Sequence, residues 1–404
     1  MKVGRTLTAG RPHIALRRAL VAAQVALSLV LLVAALLFGR SLFNLLRLDA
    51  GFEQAGILEA DVDLSHADLP DEARRVLRRA LLDRIRAIPD VDAAAAAGVV
   101  PLVGRQYRNV FLDGPAGRRK ELTYSNRVGP EYFRTLGTSL VAGRDVDERD
   151  TPASPAVAVV NESFVRQLIA GNPLGATFRL EGGATGEPGS IVYTVVGVVE
   201  NAKYANLRED FKPIVYLAES QNVRAGSFDQ IFIRSRAPIA TLMPRVKRVI
   251  ESTNAEVSFH FHDFQEQIRD SLLQDRLMAT LCGFFAVLAA LLATIGVYGV
   301  MSYSVAQRTA EIGIRLALGA ARRQIAALVL GEALLFVGIG LVIGLALALA
   351  AGRAADAMLF GLQPSDPLTL AAAAVLLAIV AAAAGYLPAR RAARSDPMQA
   401  LRCE

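Results

Sequence analysis

The chain has 404 residues, of which 53% are apolar and 20% are charged, and its formal net charge is +6. A positive net charge is compatible with nucleic-acid binding, but here the excess of basic residues occurs in short segments beside apolar runs, which argues against that function. The two cysteines, Cys282 and Cys403, both lie in the last third of the chain, outside its charged middle. That middle part, of about 230 residues, must therefore be stabilised by core packing rather than by a disulfide.

Four segments have the length and composition of membrane-spanning helices. Residues 19–39, 277–307 and 367–389 carry no charge, and residues 324–352 carry only Glu332 among acidic and basic side chains. A helix needs about 20 apolar residues to cross a bilayer core. We predict one span near the start and three near the end. A cleaved signal peptide is the alternative for the first span, although its apolar run is longer than such peptides usually have.

Basic residues are concentrated on alternate sides of these spans. Residues 1–18 carry five basic residues and no acidic one, residues 308–323 carry four against one, and residues 390–404 carry four against two. Lys and Arg accumulate in cytoplasmic loops of membrane proteins. The distribution therefore predicts that both termini are cytoplasmic and that the charged middle domain lies on the other side of the membrane.

These features give a domain organisation with nine segments. They are a basic N-terminus (1–18), the first span with its stalk (19–45), the inserted domain (46–272), the second span with its stalk (273–305), a cytoplasmic segment (306–323), the third span (324–352), a short outer loop (353–366), the fourth span (367–389) and a cytoplasmic tail (390–404). Residues 40–48 and 264–276 are predicted to be helical stalks that carry the first two spans outward, or else ordinary membrane-flanking helices.

The inserted domain is predicted to be an α+β fold with two lobes. Residues 57–64 alternate like a strand, and residues 71–88 have helical spacing after Pro70. Strand–helix–strand units at both ends and a β-rich middle indicate the two lobes. The further predicted strands are 91–100, 156–160, 193–199 and 230–234, and the further predicted helices are 162–169 and 239–252.

Two motifs in this domain are weak candidates for a ligand site. The Gly-rich residues 180–189 precede a strand rather than a helix, so they predict a hairpin loop and not a phosphate-binding loop. His260 and His262 share one strand face, but no Cys or carboxylate cluster accompanies them. We predict no metal, no cofactor and no catalytic residue set.

The segment 305–320, between the second and third spans, predicts a short amphipathic helix at the cytoplasmic surface. Glu311 and Arg315 have the favourable i,i+4 order, Ile312 and Leu316 lie one turn apart on another face, and Gly319 has the position of a C-cap. An interfacial connector without a partner is the alternative interpretation.

Polar and small residues in the third span predict contacts between helices. Glu332 lies about two turns into the span and is expected to pair with a basic residue such as Arg322, to reach the interface, or to line a helix contact. Gly340 and Gly344 form a G-x-x-x-G pattern that allows close packing. Such patterns are common and do not identify a dimer interface.

The chain resembles the MacB/FtsX-like ABC transporter permeases, known as type VII. The segments that carry the resemblance are 305–320, Glu332, residues 386–397 at the end of the fourth span, and residues 172–175 and 195–199 of the inserted domain. Residues 17–28 are similar to the start of the second half of the duplicated orphan permeases of acidobacterial type. The resemblance implies four transmembrane helices, a MacB-like periplasmic core domain and location in a bacterial inner membrane.

The resemblance also implies a mechanism. The segment after the second span becomes a coupling helix that docks on a cytoplasmic ABC ATPase dimer, and closure of the ATPase moves the spans and the periplasmic domain, which is called mechanotransmission. The residues to which this role transfers are Gln307, Arg308, Glu311, Ile312, Gly313, Arg315, Leu316 and Gly319. The chain contains no G-x-x-x-x-G-K-[ST] motif, so ATP hydrolysis is expected in a separate partner.

Two functions follow as hypotheses. The first is a permease subunit that exports small amphiphiles or peptides, handles lipoproteins or controls cell-wall enzymes. It would pair with a second permease chain, like or unlike, contact lipid, and engage a periplasmic adaptor or substrate protein, but no nucleic acid. The second is an orphan membrane scaffold or signalling protein, or a split permease half, that works without a dedicated ATPase.

Overall fold

The computed structural model describes residues 11–64, 69–114, 117–181, 191–222, 228–254, 256–318 and 321–393. The chain divides into two compact units. One comprises Met1–Arg47 with Gln274–Glu404, and we call it the membrane unit. The other is Leu48–Leu273, which we call the outer unit. Each has hydrophobic cores of its own.

Within the described residues, four helices are long and apolar enough to cross a membrane, in the predicted order of one followed by three. These apolar stretches are Leu16–Leu46, Leu273–Gln307, Arg323–Ala354 and Pro367–Arg391. The helices of the membrane unit are α1 (Arg11–Leu46), α7 (Leu273–Gln307), α8 (Thr309–Ala317), α9 (Arg322–Ala354) and α10 (Pro367–Ala393).

Helix α1 packs closely against α9, and glycine makes this possible. A Cβ atom on Gly340 would lie 2.7 Å from the carbonyl oxygen of Ala22, and one on Gly344 would lie 2.8 Å from that of Ala26. Both distances are too short for a side chain, so only glycine allows the two backbones to approach this far. The G-x-x-x-G pattern of the third span is therefore used inside the chain.

Helix α7 is much less enclosed than α1. It buries a stripe of mostly small residues, Ala286, Ala289, Ala293, Val297 and Met301. The Ser28 hydroxyl donates to the backbone carbonyl of the second of these, with 3.0 Å between the oxygens. Large apolar side chains on the rest of α7 remain exposed. Such a surface is typical of a helix that faces lipid or another membrane helix.

The two predicted stalks have different outcomes. Helix α1 continues without interruption to Leu46, so the first stalk is helical almost to its expected end. The second stalk, predicted as one helix over residues 264–276, is instead divided into α6 (Phe264–Ser271) and the start of α7. The break falls at Leu272, whose N–H bonds to the Arg269 carbonyl in a tight terminal turn.

The outer unit confirms the predicted mixture of helices and strands, with boundaries shifted by a few residues. Its elements in chain order are β1 (Ile57–Asp63), α2 (Asp71–Arg86), β2 (Val91–Ala97), β3 (Tyr107–Gly114), β4 (Gly117–Val128), α3 (Tyr132–Leu136), β5 (Leu140–Gly143), β6 (Val157–Asn161), α4 (Glu162–Leu168), β7 (Thr177–Leu180), β8 (Val192–Val199), β9 (Ile214–Ala218), β10 (Phe228–Ser235), α5 (Ile239–Thr253), β11 (Ser258–Asp263) and the helix α6.

The two ends of the outer unit combine into one lobe, the terminal lobe. Its antiparallel sheet has the order β11-β1-β10-β2, and helices α2 and α5 cover one face. Alternate residues of β1, namely Leu58, Ala60 and Val62, point into the core between sheet and helices. The opposite face of β1 carries Glu59 and Asp61.

The middle lobe contains strands β3 to β9 and helix α4. The pairings run β4-β3-β7-β8-β6-β9 and return to β4, so six strands form a closed ring. Two of these pairings are parallel, β6 with β8 and β4 with β9. Strands β7 and β8 pair antiparallel in succession, which confirms the predicted hairpin. Most of the Gly-rich loop itself, residues 182–190, lies outside the described residues.

Candidate functional site

The segment after the second span forms a junction between two helices. Helix α7 ends at Gln307 and α8 begins at Thr309, with Arg308 between them. The Thr309 hydroxyl donates to the Val305 carbonyl at 3.1 Å and to the Ala306 carbonyl at 3.0 Å, so it caps the last turn of α7. The predicted amphipathic helix is present and is separate from the span.

One side of α8 is buried. The Ile312 side chain is only 5% exposed and packs with Ile325 of α9 and Val305 of α7 in a small apolar cluster. This cluster is distinct from the main core of the helical bundle. Burial of these aliphatic side chains holds α8 against the start of α9. Ile312 therefore supports the helix and is not available for direct contact with a partner.

The other side of α8 is open to solvent. Glu311 and Arg315 form the predicted ion pair, with 2.6 Å between nitrogen and oxygen. Ile314 and Leu318 are 49% and 83% exposed on the same side. Residues 311, 314, 315 and 318 have the spacing of one helical face. We call these four residues the exposed face of α8. Sequence reasoning found the ion pair but missed the two apolar members, whose i,i+3 and i,i+7 spacing was the available signal.

The remaining predicted coupling residues are only partly accounted for. The Gln307 side chain donates to the Tyr303 hydroxyl, at 2.9 Å, and so belongs to the end of α7. Gly313 and Leu316 lie within α8, but the burial and contacts of their side chains are outside what the structure describes. Gly319 lies outside the described residues altogether.

Glu332 is paired with two arginines from different segments. Arg308 Nη1 lies 2.5 Å from one carboxylate oxygen, and Arg18 Nη2 lies 3.7 Å from the other. The Arg18 guanidinium also lies 4.9 Å from the centre of the Phe336 ring. Pairing with a basic residue was expected, and these two arginines are its partners among the described residues. The side chain of Arg322, the example given in the prediction, lies outside the described residues.

This ion cluster connects three parts of the membrane unit. Arg18 belongs to α1, Arg308 is the junction between α7 and α8, and Glu332 belongs to α9. Its side chains are between 30% and 42% exposed, so water partly screens the charges. Arg18 was counted in the sequence only as one of several basic residues near the N-terminus. Nothing local indicates its contact with a residue more than 300 positions away.

The two histidines singled out in the sequence, His260 and His262, are exposed on strand β11. Cross-strand neighbours of His260 and His262 are Asp61 and Glu59 of β1. The described residues nevertheless contain no group of three or more His, Cys, Asp or Glu side chains arranged to hold a metal ion. The candidate site with defined contacts is therefore the junction around Arg308 and the exposed face of α8.

Two family models together match most of the chain. Residues 19–251 match the model described as MacB-like periplasmic core domain. Residues 283–397 match the model described as FtsX-like permease C-terminal, which includes the junction, α8 and Glu332.

Similar proteins include two export ATP-binding/permease proteins. The macrolide export protein MacB of Rhodospirillum rubrum is 30% identical over 311 residues, which cover 73% of this chain and 46% of that protein. The pyoverdine export protein PvdT of Pseudomonas putida is 26% identical over 344 residues, which cover 83% and 50%. The chain thus spans about half the length of the curated relatives it matches.

Among solved structures, the periplasmic region of MacB from Actinobacillus actinomycetemcomitans aligns with 57% of this chain and 97% of that chain. The sequence identity is 16% and the TM-score is 0.37.

Proposed function

Because the chain belongs to the family of MacB-like and FtsX-like ABC transporter permeases, we propose that it couples ATP hydrolysis by a separate cytoplasmic ATPase to movement of its outer unit. The described residues include four candidate membrane-spanning helices, and residues 19–251 match a MacB-like core domain. In the proposed topology both termini and α8 are cytoplasmic, and the outer unit is periplasmic. The basic residues of the N-terminus, the junction and the tail support this orientation.

The observation that carries the proposal is that α8 is buried on one side and exposed on the other. Ile312 anchors one side to α9, while Ile314 and Leu318 stand exposed beside the ion pair on the other. An apolar centre with charged residues around it is the usual composition of a protein–protein contact. A helix that served only as a connector has no need to expose two large aliphatic side chains beside a formed ion pair.

The ion cluster supplies a route for transmission from α8 to the bundle. In the proposed mechanism the ATPase pushes on the exposed face of α8. Arg308 transmits the displacement to Glu332 on α9 and, through that carboxylate, to Arg18 on α1. The Ile312–Ile325 contact carries the same displacement through packing. Because α1 is one helix from Arg11 to Leu46, movement at one end reaches its other end.

For the task on the outer side of the membrane, we propose a class of substrate rather than a single compound. The two relatives are named for export of a macrolide and of pyoverdine, both small molecules. We propose export of small amphiphiles or peptides, with lipoprotein handling and control of cell-wall enzymes as the other tasks of this family. The working complex would contain a second permease chain and an ATPase dimer, in contact with lipid and with a periplasmic partner.

The test is co-purification of the tagged chain from its native cell, followed by mass spectrometry. A stoichiometric ABC ATPase is expected. Glu311→Lys and Leu318→Asp should each abolish its recovery, because one reverses a charge and the other places a charge on the apolar part of the contact. Asp356→Lys is the matched control, since it makes the same charge change on an exposed residue between α9 and α10. The control should retain the ATPase.

Recovery of the ATPase with both α8 variants would contradict docking at this face. Recovery of a periplasmic protein or another permease half from the unaltered chain, with no ATPase, would instead favour the orphan scaffold. Membrane insertion of each variant is checked by alkaline extraction, so that loss of the ATPase is not confused with loss of the permease.

A further inference from the structure

A cleft of about 1080 Å³, including the part open to solvent, separates the two lobes of the outer unit. One wall is helix α2 of the terminal lobe, and the other is formed by loops of the middle lobe. The apolar part of its lining includes Val76, Leu82, Pro130 and Pro152. Val76 is 62% exposed although it is aliphatic, because it faces this space. Ligand sites occur preferentially in such clefts between two domains.

Most charged groups in the cleft are already paired. Arg75 binds Glu72 at 2.6 Å, and Arg78 of α2 binds Glu219 at 3.1 Å across the lobes. Arg86 donates to two backbone carbonyl groups at 2.9 and 3.2 Å. The two ion pairs neutralise their charges locally, and the hydrogen bonds of Arg86 stabilise the walls. They therefore provide structure rather than free binding groups.

Two charged groups in the cleft remain unpaired. Arg79 of α2 and Glu148 of the loop between β5 and β6 line the cleft, and neither has an ion pair or hydrogen bond with the described residues. One is cationic, the other is anionic, and they belong to different lobes. Both are exposed to solvent, so each can exchange hydrating water for a ligand group.

We propose that this cleft binds a short apolar peptide, with the peptide carboxylate on Arg79 and the peptide ammonium group on Glu148. The two unpaired charges match the two ends of an unblocked peptide, and the apolar lining matches its side chains. A purely anionic or purely cationic amphiphile would leave one of the two groups unused. The choice of a peptide rests on the proposed export function, whereas the site itself lies in the outer unit and its occupancy does not depend on ATPase docking.

The chain contains no tryptophan, so a single introduced indole reports on the cleft alone. The probe is an apolar tetrapeptide of leucine and valine, titrated onto the full chain with Val76→Trp in lipid nanodiscs. Its N-acetylated and C-amidated forms remove one charge each. Val103→Trp, at an exposed residue of the outer unit that does not line the cleft, is the reporter control.

The unblocked peptide is expected to change the emission of the Val76→Trp protein saturably and to leave that of Val103→Trp unchanged. Amidation of the peptide should weaken its binding to the Val76→Trp protein about three- to tenfold. It should have no effect when Arg79→Gln is added to that protein. Acetylation of the peptide should weaken binding to the Val76→Trp protein by a similar factor, and it should have no effect when Glu148→Gln is added. Arg84→Gln, on a part of α2 that does not line the cleft, should leave all three affinities unchanged.

Three results would overturn the proposal. They are equal affinity for the three peptides, an identical response from the two tryptophan reporters, and the absence of a saturable response. Dependence on only one end of the peptide overturns the assignment of a doubly charged ligand. Because none of the variants is in the membrane unit, these results are independent of the ATPase co-purification.

Discussion

The two units of this protein accommodate a carboxylate in apolar surroundings in opposite ways. In the membrane unit, Glu332 lies beside two guanidinium groups, those of Arg308 and Arg18. In the outer unit, Glu59 is 1% exposed and has no basic partner among the described residues. It hydrogen-bonds to the Gln267 side chain, and its other oxygen has no partner there.

The difference shows what each carboxylate contributes. A charge that is paired with two arginines from different segments connects those segments. A charge without a cation is suppressed instead. The pKa of Glu59 is raised from 4.5 to about 7, mainly by burial; the hydrogen bond to Gln267 acts to lower it, and the neighbouring Asp61 acts to raise it. Glu332 therefore connects helices, whereas Glu59 makes the stability of the outer unit depend on pH.

The largest effect is expected from removing the buried carboxyl group of Glu59 in the outer unit. In the unfolded chain Glu59 ionises near pH 4.5, whereas in the folded chain it stays neutral until about pH 7. Burial therefore has no effect below pH 4.5, and it destabilises the folded state increasingly as pH rises, by about 3 kcal/mol above pH 7. Glu59→Gln should raise the free energy of unfolding by about 2–3 kcal/mol at pH 8 and hardly at all at pH 4.5.

Urea unfolding of the full chain in nanodiscs, followed by pulse proteolysis of the outer unit, measures this difference. Glu266→Gln is the matched control, because it makes the same change on an exposed residue of α6. An equal gain for the two variants, or the same gain at both pH values, would show that Glu59 is not the titrating group.

The second largest effect is expected from removing the Glu332 carboxylate, which connects three segments of the membrane unit. Glu332→Gln leaves Arg308 and Arg18 close together without a counter-charge. Breaking a fully buried pair costs about 3–5 kcal/mol, and since these side chains are partly exposed we expect a loss of about 1–2 kcal/mol. The thermal midpoint of the membrane unit in detergent should fall, while that of the outer unit should not. A midpoint unchanged from that of the unaltered chain would mean that the cluster has no connecting role.

Smaller effects are expected from replacing the two arginines that pair with Glu332. Arg308→Met should destabilise by about 1 kcal/mol and Arg18→Met by about half of that, because Arg308 approaches Glu332 more closely. Each loss should shrink in the Glu332→Gln background, since residues in one ion network are not additive. Full additivity in this double-mutant cycle would count against a shared cluster.

The smallest effect concerns Asp366, a partly exposed carboxylate just before α10. It accepts hydrogen bonds from the Arg40 guanidinium and the Thr369 hydroxyl. Among the described residues it has one arginine partner, whereas Glu332 has two, and an asparagine oxygen can still accept both hydrogen bonds. Asp366→Asn should therefore lower the thermal midpoint less than Glu332→Gln. A comparable loss from both variants would remove the distinction between a carboxylate with two arginine partners and one with a single partner.

Local pattern accounts for much of this fold. The four spans follow from runs of apolar residues that are long enough to cross a membrane, and most strands and helices of the outer unit follow from spacing. The stalk before the second span was predicted as one helix because its composition is helical throughout. The break at Leu272 has no marker such as Pro or Gly in the sequence.

The candidate site around α8 also has features that the sequence predicts and features that it does not. The Glu311–Arg315 pair was predictable, because residues four apart on a helix are neighbours. That Ile312 is buried and Ile314 exposed was not, because an isolated helix does not indicate which of its apolar sides meets another element.

The sequence by itself determined the spans, the periodic elements and the location of the coupling segment, because these depend on residues within a few turns of one another. Only the tertiary structure decided that the two ends of the outer unit share one sheet, that six strands close into a ring, and that Arg18 and Arg308 meet on Glu332. The physical reason is that pairing between distant segments depends on the packing of the whole unit, and local propensity carries no information about which distant partner a side chain meets.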